Sequence, residues 1–293
     1  MPHTPVLLKE VIEYLDPQPG EFMIDGTLDG GGHARAILER IGPTGMFLGV
    51  DWDPEMIAKC QTQISNRENT ILSVGNYAKL AEIMRRKKLP SADGLLLDLG
   101  FSSEQLAGRG FSFGQQAAGE PLRMTYSPEA EPVQRILRRL SENELADIIR
   151  EFGGERFAGR IAKAIKAKGK AVEIRTSGEL AEAVRQAVPR GYERGRIDPA
   201  TRTFQALRIY ANAELDNLAE VLASLPQILK PGGRAVIISF HSLEDRLVKQ
   251  AFRELAKAGQ AEELTRKPVT AALPEKRENP RSRSAKLRSI RII

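Results

Sequence analysis

The stretch that decides the fold is "MIDGTLDGGGHARAIL", residues 23–38. A short apolar run ends at Asp25, three glycines follow at 30–32, and a helical pattern begins near His33. A strand, a glycine-rich turn and a helix in this order leave room for a nucleotide-like ligand. The glycine spacing matches neither the dinucleotide fingerprint G-x-G-x-x-G nor the phosphate loop G-x-x-x-x-G-K-[ST]. The turn therefore predicts a ligand but not its class.

The composition places limits on the kind of protein. Of the 293 residues, 41% are hydrophobic and 28% are charged, enough for a large core in one or two domains. No apolar run approaches the roughly 18 residues of a membrane span, and the N-terminus lacks the pattern of a secretory signal. A single cysteine, Cys60, excludes an internal disulfide and fits the reducing cytoplasm. Three scattered histidines predict no metal centre.

Positive charge is concentrated in two runs. The net charge is +6, and residues 276–291 carry seven cations against one acid, while 156–170 carry six cations and no acid. Either run alone is compatible with a solvated surface. Together with a nucleotide-type turn, they favour a nucleic-acid partner.

Hydrophobic periodicity predicts a sheet interrupted by helices. Near-continuous apolar runs, separated by helical patterns, predict parallel strands covered on both faces, at 22–25, 45–51, 69–75, 94–100 and 232–240. The C-terminal run 287–293 predicts an edge strand, and the Pro- and Arg-rich segment 268–284 predicts disorder or ordering by RNA. Residues 105–213 read as almost wholly helical, with capping boxes at Ser141/Glu144 and Thr176/Glu179. We therefore predict an α/β domain of residues 1–104 and 214–293 with an inserted helical domain of residues 105–213.

The charge of the predicted ligand follows from the acids around the turn. In a parallel sheet, ligands bind at the carboxyl ends of the strands. Asp25, Asp29 and Asp98 would crowd a pyrophosphate there, but they suit the sulfonium and ammonium groups of S-adenosylmethionine. Asp51 follows at the distance typical of an acid that binds ribose hydroxyls, and Tyr77 could pack against an adenine. These residues favour S-adenosylmethionine over NAD or ATP.

Seven motifs, in order over nearly the whole chain, resemble a known family. They are "HTPVLLKEV" (3–11), "DGTLDGGGHA" (25–34), "LLLDLGFSSEQL" (95–106), "RGFSF" (109–113), "PATRTFQALRI" (199–209), "PGGRAVIISFHSLEDRLVK" (231–249) and "NPRSRSAKLR" (279–288). Together they closely resemble the bacterial ribosomal RNA small-subunit methyltransferase H family, also called MraW.

The resemblance implies a fold, a reaction and a set of cofactor residues. It implies a Rossmann-like class I methyltransferase with a helical insertion, which methylates the exocyclic N4 of a cytidine in the decoding region of 16S ribosomal RNA. The implied partner is 16S RNA or the small ribosomal subunit, and the oligomeric state stays open, a homodimer being one option. The implied cofactor positions are Gly31, Gly32, His33, Asp51, Tyr77, Asp98 and Gln105.

Candidate catalytic residues lie in the loops after two strands. The cytosine N4 lone pair is delocalised into the ring, so a hydrogen-bond acceptor such as Asp98 would localise it as the reaction proceeds. Ser102 and Ser103 follow on the same loop and could bind the base edge or cap the next helix. His241 follows the fifth predicted strand and could contact substrate or be structural.

Phosphate contacts are expected from the basic motifs, and two other functions stay open. The candidates are Arg281, Arg283, Lys286 and Arg288 in the tail, and Arg202 and Arg208 in the helical region. Arg208 lies among apolar neighbours and could instead form a buried ion pair. The family commonly has Gly at the position of Asp29 and PLDMRMD where this chain has "PLRMTYS" (121–127). The second departure keeps open an RNA-binding module that retains the cofactor pocket but has impaired catalysis. An NAD-dependent oxidoreductase is disfavoured by the acids of the turn.

Overall fold

A computed structural model of the chain describes residues 5–64, 68–100, 107–189, 191–192 and 197–293. The chain divides into two compact units. The first is Met1–Ser102 with Leu215–Ile293, and the second is Ser103–Glu214. The sequence analysis predicts the boundaries at 104/105 and 213/214, two residues and one residue away from these.

The first unit contains a seven-stranded mixed sheet. Its strands are β1 (Phe22–Asp25), β2 (Met46–Asp51), β3 (Thr70–Val74), β4 (Ala92–Asp98), β5 (Leu229–Ser239), β6 (Ala261–Glu263) and β7 (Lys286–Ile292). The order is β3-β2-β1-β4-β5-β7-β6, with the first five strands parallel and β7 antiparallel to both neighbours. The predicted parallel strands and the α/β class are confirmed. Strands β2 and β3 lie on one side of β1, and β4 lies on the other side, so the sheet has a topological switch point between β1 and β4. At such a point, ligands bind beside the carboxyl ends of the strands.

Helices pack on the sheet and build the second unit. They are α1 (Leu8–Leu15), α2 (Gly32–Ile41), α3 (Pro54–Ile64), α4 (Leu80–Arg86), α5 (Val133–Arg139), α6 (Glu142–Gly153), α7 (Ala158–Ala171), α8 (Ser177–Ala187), α9 (Ala200–Ala211), α10 (Glu214–Ile228), α11 (Ser242–Lys257) and α12 (Leu273–Glu278). The strands read as continuous apolar runs because both faces of the sheet are covered. Among the described residues, no helix combines the length and the apolar character that a bilayer crossing needs.

The two capping boxes predicted in the helical unit are confirmed. The Ser141 side chain accepts the Glu144 N–H at the start of α6, and the Thr176 side chain accepts the Glu179 N–H at the start of α8. Each glutamate in turn accepts the backbone N–H of its cap residue. Apolar faces of α5 to α9 then meet in one core that is separate from the two cores of the sheet.

Two predictions about the C-terminal region are wrong. The strand β7 is not an edge strand, because the three-residue β6 pairs with its outer side. A strand as short as β6 leaves almost no periodic signal in the sequence. The segment 268–284 is ordered: it contains α12 and a 3₁₀ turn at Pro280–Arg283, and Ser282 is fully buried. Backbone hydrogen bonds between Val269 and Leu287 attach its start to β7.

Candidate functional site

The glycine-rich turn after β1 is built by left-handed backbone. Gly31 has φ +73°, which glycine adopts without steric cost, and its N–H donates to Leu28 O at 2.8 Å. Side chains at Gly31 and Gly32 would also come within about 3.1 Å of Cys60 Sγ and of Pro5. Asp29 has φ +45° although it is not glycine. The close packing therefore favours glycine at both positions, and Asp29 adopts a backbone conformation that is unfavourable for a residue other than glycine.

Asp51, at the end of β2, organises the loops on either side of it. Its Oδ2 accepts the Asp29 N–H at 2.9 Å, and its Oδ1 accepts the Asp53 N–H at 2.8 Å. The residue thus fixes the turn after β1.

Asp98 connects the end of β4 to the turn after β1. Its N–H donates to Thr27 Oγ1 at 2.6 Å, and its Oδ1 accepts the Gly100 N–H at 3.3 Å. Thr27 also donates its N–H to Asp25 Oδ1 at 3.1 Å. The three residues place two carboxylates side by side at the switch point of the sheet.

The buried carboxylates disfavour one another's charge. Burial and, to a smaller extent, the charges of Asp98 and Asp51 raise the pKa of Asp25 to about 7, although the hydrogen bonds from Thr27 act in the opposite direction. Burial and the charges of Asp51, Asp98 and Asp25 raise the pKa of Asp29 well above its usual range, although Arg281 acts in the opposite direction. A cationic ligand would stabilise the ionised form of every one of these groups.

His33 has a structural role that sequence reasoning did not find. Its Nε2 lies 2.9 Å from Val6 O, so we assign the proton to Nε2, which donates to this carbonyl. Burial lowers the pKa of His33 to about 4, so the ring is neutral at pH 7. Its Nδ1 lies 3.7 Å from Asp98 Oδ2. His33 joins the N-terminal segment to the carboxylate cluster.

An aromatic pair lines the ends of β2 and β3. The rings of Trp52 and Tyr77 are stacked with centroids 6.2 Å apart and an interplanar angle of 27°. Asn76 accepts the Ala78 N–H at 2.8 Å and so fixes the turn that carries Tyr77. The sequence analysis singled out Tyr77 but not Trp52, whose position directly after Asp51 was the available signal.

Of the remaining site candidates, the structure describes His241. Ser102, Ser103 and Gln105 lie outside the described residues. His241 caps the start of α11: its Nδ1 accepts the Glu244 N–H at 3.4 Å, and Glu244 Oε2 accepts the backbone N–H groups of Phe240 and His241. His241 Nε2 lies 3.1 Å from Glu244 Oε1. These contacts support the structural alternative for His241.

In the tail, the structure argues against a phosphate role for Arg288. Only 5% of its side chain is exposed on β7, and its Nε donates to Asp245 Oδ1 at 2.7 Å. Lys286 donates to the other oxygen of Asp245 at 3.3 Å. Arg281 is half-buried and close enough to Asp29 to lower the pKa of that carboxyl. Arg283 is exposed, and its Nε donates to a backbone carbonyl at 3.2 Å, which leaves other donors for a phosphate.

In the helical unit, Arg208 forms the buried ion pair left open above. Its guanidinium binds both oxygens of Glu214, at 2.9 and 3.0 Å, and Tyr126 Oη donates to the same carboxylate at 3.0 Å. This bidentate pair argues against a phosphate role for Arg208. Arg202 donates to Tyr192 Oη at 2.9 Å and keeps about a third of its side chain exposed.

The loop 121–127, which departs from the family pattern, is anchored in the helical unit. Asn212 donates to Met124 O at 2.9 Å and accepts the Tyr126 N–H at 2.9 Å. The rings of Phe111 and Tyr126 stack with centroids 5.4 Å apart. The loop thus has a defined structure without the two acids of the family pattern.

Comparison with known proteins identifies the family. The chain is 46% identical to a ribosomal RNA small subunit methyltransferase H from Syntrophotalea carbinolica, over 99% of this chain and 98% of that protein. It is 45% identical to one from Syntrophus aciditrophicus, with the same coverage. Among solved structures it is similar to an Aeropyrum pernix fibrillarin with bound S-adenosyl-L-methionine, with TM-score 0.45 and 14% identity over 98% of this chain and 72% of that one. Residues 1–293 match the MraW methylase family, and the chain belongs to that family.

Proposed function

We propose that this chain transfers a methyl group from S-adenosylmethionine to the exocyclic N4 of a cytidine in the decoding region of 16S ribosomal RNA. The observation that carries the proposal is the cluster of buried carboxylates at the switch point of the sheet. Membership of a methylase family supports a methyl donor as the ligand of this cluster. The relatives named as small subunit ribosomal RNA methyltransferases support the RNA substrate.

The donor set fits a cationic cofactor better than a polyphosphate. Asp25, Asp29, Asp51 and Asp98 are each less than one-tenth exposed, and the pKa values of the first two are raised. S-adenosylmethionine carries a sulfonium and an ammonium group, and its positive charge would relieve this repulsion. A pyrophosphate would add negative charge at the same place, which disfavours the NAD-dependent alternative.

Each residue of the proposed site would contact the part of S-adenosylmethionine that suits its chemistry. Asp51 would accept hydrogen bonds from the ribose hydroxyls, and the Trp52–Tyr77 pair would pack against the adenine. Asp25 and Asp29 would face the cationic methionine portion. When bound, the cofactor supplies an activated methyl group for in-line displacement, so the protein contributes mainly orientation.

Asp98 is our candidate for assisting the cytosine. Its carboxylate is 4% exposed and fixed by the Gly100 N–H, which limits the orientations it can adopt. An acceptor at this place would draw on an N4 hydrogen and localise the nitrogen lone pair as the new bond forms. Only a weak acceptor is needed, because the N4 proton becomes acidic once the nitrogen is methylated. Ser102, Ser103 and His241 remain proposals for contacts to the base, and Gln105 for the cofactor.

The partner would be ribosomal RNA in the cytoplasm, free or within the small subunit. A target base must leave its stack to reach a buried site, at a cost of a few kcal/mol unless it is already unpaired. Contacts between cations and phosphates would offset part of this cost. The candidates for such contacts are Arg281, Arg283, Lys286 and Arg202.

The test uses labelled S-adenosylmethionine and small subunits from a strain without this protein. After methylation, the RNA is digested and its nucleosides are separated. We expect label in N4-methylcytidine with the wild type and with Asp93→Asn, a control at the amino end of β4, and a strong loss with Asp98→Asn. Label in another nucleoside would refute the N4 assignment. Cofactor binding without label on subunits or free RNA would favour the binding-module alternative.

A further inference from the structure

Helix α7 presents a stripe of cations on its exposed face. Arg160, Lys163 and Lys170 are exposed and lie within about a quarter of the helix circumference, and Arg156 precedes the helix on the same side. The buried residues of α7, which are Ala158, Ile161, Ala162 and Ile165, lie on the opposite face and join the core of the helical unit. The stripe from Arg160 to Lys170 is about 15 Å long.

The described residues of the protein do not neutralise the stripe. Within the part of the chain that the structure describes, none of these four cations pairs with a carboxylate. The neighbouring lysines of α7 are used differently, since Lys166 donates to three backbone carbonyls and Lys168 to Glu179 O. Helix α7 thus has two kinds of cations: lysines that bind backbone carbonyls and cations that face solvent.

Aromatic rings orient the arginines at the start of the stripe. The Arg156 guanidinium lies 4.9 Å from the ring centroid of Phe157 and 5.0 Å from that of Tyr192, and Arg160 lies 5.6 Å from Phe157. Glu155, which precedes Arg156 in the sequence, is buried and accepts hydrogen bonds from Tyr192 Oη and the Phe157 N–H. Stacking covers a face of each guanidinium but leaves its N–H edge free to bind a phosphate bidentately.

We infer that the stripe of Arg156, Arg160, Lys163 and Lys170 binds the phosphate backbone of the RNA substrate. This inference rests on the proposed function and adds the surface by which the RNA is bound. Charge complementarity selects a polyanion, and a rigid row of cations matches a backbone with regularly spaced phosphates. A membrane surface fits less well, because the apolar face of α7 is buried in its own core.

The test measures RNA affinity of the full chain as a function of salt. The variant combines Arg160→Gln, Lys163→Gln and Lys170→Gln, and leaves Arg156 because it packs on two rings. Glutamine is a good helix former, so the helix should persist. The control combines Arg246→Gln, Arg253→Gln and Lys257→Gln, three exposed cations of α11, and has the same net charge. The probe is deproteinised 16S RNA between about 50 and 200 mM KCl.

The expected result is a change in slope for the stripe variant alone. Each lost phosphate contact lowers the slope of log K against log salt by roughly 0.7–0.9, so three contacts lower it by about 2 to 3. Affinity at the low-salt end should fall at least tenfold, and S-adenosylmethionine affinity should not change. A second variant that exchanges Arg160 for Lys and both lysines for Arg should keep the wild-type slope.

Several outcomes would overturn the inference. A stripe variant with the slope of the control would show that the stripe is only a solvated surface. If the stripe variant binds RNA normally but no longer binds anionic lipid vesicles, the stripe is a membrane-binding surface instead. If the wild type methylates 16S RNA and the stripe variant binds it normally, the inference fails while the proposed function stands. If the wild type binds neither deproteinised 16S RNA nor the small subunit, both fail.

Discussion

The substitution Asp25→Asn should stabilise the cofactor-free protein, and the effect should grow with pH. The folded protein keeps the Asp25 proton up to about pH 7, whereas the unfolded chain releases it near the ordinary value of 3.8. Stability from this group is therefore present below pH 3.8 and is lost as the pH rises through 7. The difference of about 3 pKa units corresponds to about 4 kcal/mol once the group is fully ionised. Asparagine keeps the acceptor for Thr27 but carries no charge.

The pH dependence of the wild-type free energy of unfolding would not by itself reveal the contribution of Asp25. Burial lowers the pKa of His33 to about 4 from 6.5, so its contribution is present above pH 6.5 and is lost as the pH falls through 4. Between pH 8 and 5, acidification restores about 3 kcal/mol from Asp25 and removes about 2 kcal/mol from His33. The two contributions oppose each other in the wild type and leave a net change of about 1 kcal/mol. The difference between the wild type and Asp25→Asn isolates the carboxyl group.

The assay is urea denaturation without cofactor at pH 5, 6.5 and 8. Trp52 is the single tryptophan of the chain and lies next to the carboxylate cluster, so its fluorescence reports unfolding of this unit. We expect the advantage of Asp25→Asn to be about 2 to 3 kcal/mol larger at pH 8 than at pH 5. Asp93→Asn at the other end of β4 is the control. An advantage that does not change with pH would refute a buried, proton-retaining Asp25.

Three further predictions concern single side chains. Asp51→Ala should weaken S-adenosylmethionine binding at least tenfold in a Trp52 fluorescence titration, because the turn loses its acceptor; unchanged affinity would remove Asp51 from the site. Arg288→Ala should lower the free energy of unfolding by about 2 kcal/mol through the lost bond to Asp245, with no change in the salt slope of RNA binding; a reduced slope would restore its phosphate role. Asp29→Gly should stabilise the cofactor-free protein by about 1 kcal/mol or more, since glycine accepts φ +45°, and should weaken cofactor binding several-fold. Tighter binding would show that the Asp29 carboxylate does not face the cation.

Most of the sheet could be predicted from the sequence because local signals and tertiary structure agree there. The strands before Asp25, Asp51 and Asp98 are apolar runs of ordinary length, and each is followed by a turn signal. The capping boxes of α6 and α8 are likewise local, since three residues of spacing are enough to form them. The ligand class also came from local chemistry, because acids in a glycine turn repel a polyphosphate wherever the turn lies in the fold.

What the sequence could not determine depends on contacts between distant residues. Whether an arginine is available to bind RNA depends on whether an acid lies within reach of its side chain. Asp245 binds the guanidinium of Arg288, and Glu214 binds that of Arg208. The order of the segment 268–284 likewise comes from its hydrogen bonds to β7 and not from its composition. Only the tertiary structure joins the carboxylates of three strands and one turn into a single cluster. Burial in this cluster and the charges of the neighbouring carboxylates raise the pKa values of Asp25 and Asp29, and this effect depends on the tertiary structure.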